Sequence, residues 1–71
     1  MFAITFSNPV MNKVKTIENV KVVHVHLPNK KVVDYFDAES LIIDNPSANG
    51  YVIERQDGQT VLNRDWYPSS N

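Results

Sequence analysis

Two histidines stand two positions apart in the stretch Val22-Val23-His24-Val25-His26-Leu27. On a β-strand such residues share a face, about 6–7 Å apart, close enough to hold one metal ion. A third ligand is needed, and the register argued below supplies only Asp34. No fourth ligand is visible, and the chain has no cysteine. The pair therefore reads as polar side chains on the wet face of a strand, with no bound metal or other cofactor expected. One modest chemistry remains: an imidazole beside a carboxylate has a raised pKa and responds to mild acid.

No other residues assemble a reaction. The serines, at 7, 40, 47, 69 and 70, fall in loops, a tail or a single helical turn, without a base at a recognisable spacing. Asp34, Asp37 and Glu39 read as solvated charges around a turn. So short a chain has little volume for a concave catalytic pocket, and an enzyme is not expected. For nucleic acid, Lys13, Lys15, Lys21, Lys30 and Lys31 offer phosphate contacts, and Tyr35, Phe36 and Tyr67 offer stacking planes. Against this, the pI is near 6.0 and no RNP-like or glycine-rich motif is present.

The six residues Asn45-Pro46-Ser47-Ala48-Asn49-Gly50 fit [DN]-x-S-x-x-G. This is similar to the second half of the nucleotide-binding signature of PilZ domains, which bind cyclic di-GMP. That resemblance implies an arginine-rich motif upstream to clamp the phosphates. Here Arg55 and Arg64 both lie downstream, and the chain is short for that barrel. No nucleotide site is carried over.

The elements that must position these residues are mostly strands. Ten valines and five isoleucines in 71 residues favour pleated, half-buried surfaces. Phe2, Ile4 and Phe6 alternate with Ala3 and Thr5 as in a half-buried strand. From Ser7 to Asn19 two readings compete. Asn8 caps a short helix at about residues 9–17 with Pro9 in its first position, or the segment is a loop that runs into a strand. Around Leu27-Pro28-Asn29-Lys30, Pro28 excludes a type I′ turn, which needs positive φ at its first central residue. A type I turn in a three-residue loop faces Leu27 with Lys31, Val25 with Val33, and Val23 with Tyr35. The opposite face then carries Val22, His24, His26, Val32, Asp34 and Phe36, with His24 across from Asp34.

Asp37 can cap a helical turn over Ala38 to Ser40. In the second hairpin, Asp57-Gly58 suits a two-residue type I′ turn pairing Ile53 with Leu62, or a type I turn with a glycine bulge pairing Ile53 with Val61. The first is expected, because it gathers Tyr51, Ile53, Leu62 and Trp66 on one face. Residues 68–71 read as a flexible C-terminal tail after a single small β-rich domain over 1–67.

Lysines in residues 1–31 leave that half at +4 against Glu18, and residues 32–71 stand at −5. Meander strands would bring the two halves together and neutralise them. No segment reads as a signal or a membrane span, so a cytoplasmic protein is expected.

The expected fold is all-β: a five- to six-stranded antiparallel meander, curled into a partly open barrel or sandwich. The alternative is α+β with the helix at 9–17. The expected function is non-enzymatic binding of a protein partner, as an inhibitor or adaptor, through a sheet edge and an aromatic patch. The candidate surface is Phe36, Tyr67, His24, His26, Asp34, Lys30 and Lys31. So small a core without disulfides also suggests a homo-oligomer, a homodimer first. The competing expectation is single-stranded nucleic-acid binding by the lysine-rich N-terminal half.

Overall fold

The computed structural model describes residues 1–46, 48 and 50–69. It holds β1 (Phe2–Asn8), β2 (Lys13–His26), β3 (Val32–Tyr35), α1 (Ala38–Asp44), β4 (Gly50–Arg55), β5 (Thr60–Asn63) and β6 (Tyr67–Ser69). The six strands form one antiparallel sheet in the order β5-β4-β2-β1-β6, with β3 beside β2. The fold is thus strand-dominated with one short helix, and the sheet does not close into a barrel. The segment at 9–17 is not helical. Asn8 does cap a turn, its Oδ1 accepting the Met11 N–H at 3.1 Å. Asn12 then takes a left-handed conformation, φ 52°, and β2 begins at Lys13. A helix of two turns is marginal, and the β-branched residues beyond it pair with β1 instead.

The central strand β2 spans 14 residues and is kinked by two bulges. Phe2 and Ile4 face Val20 and Ile17, so β2 carries an extra residue there, with Asn19 at φ 57°. Val20 and Val22 face Arg55 and Glu54, which inserts a second extra residue at Lys21. The β4–β5 hairpin ties this stretch down: Gln56 N–H donates to the Asn19 carbonyl at 2.9 Å, and Arg55 Nε–H to the Glu18 carbonyl at 3.2 Å. Each bulge shifts the two-residue alternation by one. The core residues of β2 are consequently Ile17, Val20, Val23 and Val25.

These pack with Ile4, Phe6, Tyr35, Leu41, Tyr51 and Ile53 in one buried cluster. The Phe6 and Tyr51 rings tilt together at 5.6 Å. Asp37 caps α1 as expected, accepting the Ser40 N–H at 2.7 Å. That bond, and a second from the Ser40 hydroxyl, hold the Asp37 carboxyl below the usual range. The helix runs on past Ser40 to Asp44, because Leu41 drops fully into the core. Asn45, in left-handed conformation, closes it with a bond to the Leu41 carbonyl. Tyr35 OH donates to the Asp44 carboxylate, which, helped by burial, pushes the phenol up to about 12.

The first hairpin has the expected register throughout. The second does not: Ile53 pairs with Val61, and Val52 with Leu62. Its loop repeats the first one. Gly58 N–H bonds the Arg55 carbonyl and Arg55 N–H the Gln59 carbonyl, as Lys30 and Leu27 do with Leu27 and Lys31. Asp57 Oδ1 accepts the Gln59 N–H at 3.0 Å, as Asn29 Oδ1 accepts that of Lys31 at 3.1 Å. A type I′ turn would need positive φ at Asp57 as well, and only Gly58 has it, at 87°. Leu62 is therefore turned outward, 75% exposed, and Asn63 is buried in its place. Pro68 and Ser69, read from composition as tail, extend β6 along β1. Proline is tolerated there because β6 is an edge strand. Ser70 and Asn71 lie outside the described residues.

Candidate functional site

The face of the sheet opposite the core is built by β2, β3, β4 and β5. His24 lies at its centre, across from Asp34 on β3 and Val52 on β4. Its Nδ1 is 2.7 Å from Asp34 Oδ1 and its Nε2 is 3.4 Å from Glu54 Oε1. Lys21 Nζ stands 3.6 Å from the other Glu54 oxygen. A neutral imidazole donates from only one nitrogen, so two flanking carboxylates favour the doubly protonated ring. The His24 pKa is accordingly raised, chiefly by the Asp34 bond, with partial burial opposing it and Glu54 assisting.

The predicted pairing with Asp34 is present. Glu54 was not foreseen, because its contact with His24 depends on β2–β4 pairing between residues 30 positions apart in the chain. His26 is exposed on the same face, opposite Val32 and Gly50. Among the described residues no group of three or more His, Asp or Glu side chains could hold a metal ion.

The other predicted surface residues divide. Phe36, just past the end of β3, is 68% exposed, and on the outer face Val32 is 51% and Leu62 75% exposed. Val22, across from Glu54, is buried even on this side. Tyr67, 50% exposed, opens β6 on the far side of β1, so it does not join Phe36 in one aromatic patch. Lys30 and Lys31 are exposed on the β2–β3 loop, Lys30 in left-handed conformation at φ 66°. The remaining lysines are scattered. Lys15 Nζ lies 4.6 Å over the Trp66 ring, Lys21 is paired with Glu54, and Lys13 begins β2.

At one end of the outer face the sheet leaves an open concavity of about 520 Å³, lined by His26, Gly50, Tyr51, Val52, Leu62, Asn63 and Arg64. Gly50 and Arg64 were missed as site residues. Their significance rests on the β4–β5 register, which the Asp57-Gly58 pair left open between two loops. Ser47 and Asn49 of the Asn45–Gly50 motif lie outside the described residues. A second concavity, about 330 Å³, lies at the β1–β2 loop beside Asp65 and Tyr67.

Among the described residues no helix is long and apolar enough to cross a membrane. No protein-family model, curated protein or solved structure matches this chain.

Proposed function

We propose that the chain is a small, non-enzymatic protein-binding module that uses the outer face of its sheet and the free edge of β5. One observation carries this reading. Val32 and Leu62 on the outer face, and Phe36 just past β3, are each at least half exposed, while the core cluster lies on the other side of the sheet. Large exposed apolar side chains are typical of binding surfaces. The edge adds a second means of recognition. Arg55 and Gln59 close the hairpin with a backbone bond, so antiparallel alternation turns Val61 and Asn63 toward β4. The backbone groups of Thr60 and Leu62 then face outward, available to an added strand. An inhibitor or adaptor acts in this way without catalytic groups. A second copy of the chain is one partner such a face admits. The absence of cysteine is in keeping with a cytoplasmic setting.

The experiment compares partner capture from host lysate by the natural chain and by Phe36→Ser and Leu62→Ser, with sedimentation equilibrium on the same samples. Loss of a specific partner, or of a dimer, in both variants is expected. Capture unchanged by both would refute the reading. The lysines favour no nucleic-acid surface, since two of them are engaged with Trp66 and Glu54. Affinity for a single-stranded oligonucleotide that falls steeply with salt would reverse that judgement.

A further inference from the structure

We propose that the concavity between β2, β4 and β5 seats the C-terminal residue of a partner chain, its large apolar side chain over Gly50 and its carboxylate on Arg64. The proposal rests on the protein-binding reading above and names the segment bound. It begins with the register. Gly50 pairs with His26, and extending the Tyr51–Asn63 pairing by one residue brings Arg64 opposite Gly50 on its other side. The neighbouring row is His24, Val52 and Leu62. Of the positions in these two rows only Gly50 lacks a side chain, so the face has a gap there, with Val52 and Leu62 as an apolar wall.

The backbone does not require that glycine. Gly50 has no left-handed φ, and a methyl group on it would meet only the Asn63 carbonyl oxygen, at an ordinary 3.8 Å. The chain's other glycine, Gly58, is explained by its turn at φ 87°. What Gly50 supplies is space. Charge identifies what fills it. Among the described residues no carboxylate lines the concavity, while Arg64 does. Arg55 is committed to the Glu18 carbonyl, whereas Arg64 makes no hydrogen bond or ion pair among the described residues. A guanidinium fork matches a carboxylate in two parallel bonds. Paired residues on adjacent strands are about 5 Å apart, the reach between a side chain and the carboxylate on the same Cα. The volume lies within the range of small-ligand sites, about 300–1,000 Å³, yet the site is open on one side. A chain end can enter it while the rest of the partner stays outside.

The test uses N-acetyl-phenylalanine as probe, with N-acetyl-phenylalaninamide and N-acetyl-alanine as controls, followed by amide NMR of the labelled protein. Saturable shifts at Gly50, Val52, Leu62 and Arg64 are expected with the acid, and binding roughly tenfold weaker with either control. Gly50→Leu should fill the gap and abolish the shifts while the spectrum keeps its dispersion. Arg64→Gln should remove the preference for acid over amide. Equal binding of acid and amide, or shifts that survive Gly50→Leu, would overturn the proposal. So would a silent titration. If the titration is silent while Phe36→Ser still loses its captured partner, the seat is wrong and the binding face stands.

Discussion

Asn63 is 1% exposed, and neither its Nδ2 nor its Oδ1 has a hydrogen-bond partner among the described residues. Each buried unsatisfied group costs about 1–3 kcal/mol. Leucine matches asparagine heavy atom for heavy atom but carries nothing to satisfy. Asn63→Leu should relieve about 2–4 kcal/mol, less about 1 kcal/mol for the bulkier tetrahedral branch. A net gain near 2 kcal/mol would raise Tm by roughly 8–16 °C in a chain of this size. Urea melts should show a higher midpoint at unchanged slope, the sign of a stability change without a change in compactness. The neighbouring residue is the control. Leu62 is 75% exposed, so Leu62→Ser should change stability by no more than about 0.5 kcal/mol. A loss of about 2–5 kcal/mol from Leu62→Ser, with Asn63→Leu neutral or harmful, would refute the placement of Asn63 on the core face.

The two hairpin loops make opposite predictions at equivalent positions. Gly58→Val should destabilise by about 1–3 kcal/mol through backbone strain alone, since nothing lies within 4 Å of the added Cβ. Lys30→Gly should be neutral or stabilise by up to about 1 kcal/mol, which chemical denaturation of the pair would show. Asp37→Ala should lower the thermal midpoint by removing the cap of α1, with the loss confined to the helix signal in amide exchange. His24 should titrate above its ordinary value by NMR, and Asp34→Asn should remove most of that rise. The stability it adds is complete below the unfolded pKa near 6.5 and disappears as pH climbs through the higher folded value. Its side chain is 30% exposed, so screening keeps the amount under about 1 kcal/mol.

Local chemistry explains which parts were legible in the sequence. Pro28 excludes the type I′ turn and suits a type I turn in a three-residue loop, from which every pairing from Val23–Tyr35 to His26–Val32 follows. Asp37 announced α1, although its run to Asp44 depends on Leu41 finding the core. Asp57-Gly58 fits two loops, and the hydrophobic pattern favoured the one that buries Leu62. The side-chain bond from Asp57 to the Gln59 N–H supports the other. The site divides along the same line. His24 and Asp34 meet across a local hairpin, whereas Glu54, Gly50 and Arg64 reach it through pairing between distant segments.

The bulge at Lys21 decides where the histidines point. Val20 is fully buried, and uninterrupted alternation from it would carry residues 22, 24 and 26 into the core. The extra residue opposite Arg55 and Glu54 shifts the pattern, so that Val23 and Val25 are buried and His24 and His26 face outward. Removing Lys21 leaves Val20 and Val22 consecutive opposite Arg55 and Glu54, so plain alternation then keeps Val23 and Val25 inward and both imidazoles outward. The chain lacking Lys21 should therefore still fold cooperatively, with the bulge gone and the faces of the strand unchanged. A neutral exposed substitution, Lys21→Ser, should lose only the ion pair with Glu54, worth less than about 1 kcal/mol. A deletion that no longer melts cooperatively, or in which His24 loses its raised pKa, would mean that Lys21 is not the bulged residue. The bulge, rather than the spacing of the histidines themselves, is what lets the chain carry Lys21 and still set both imidazoles on the outer face beside Asp34 and Glu54.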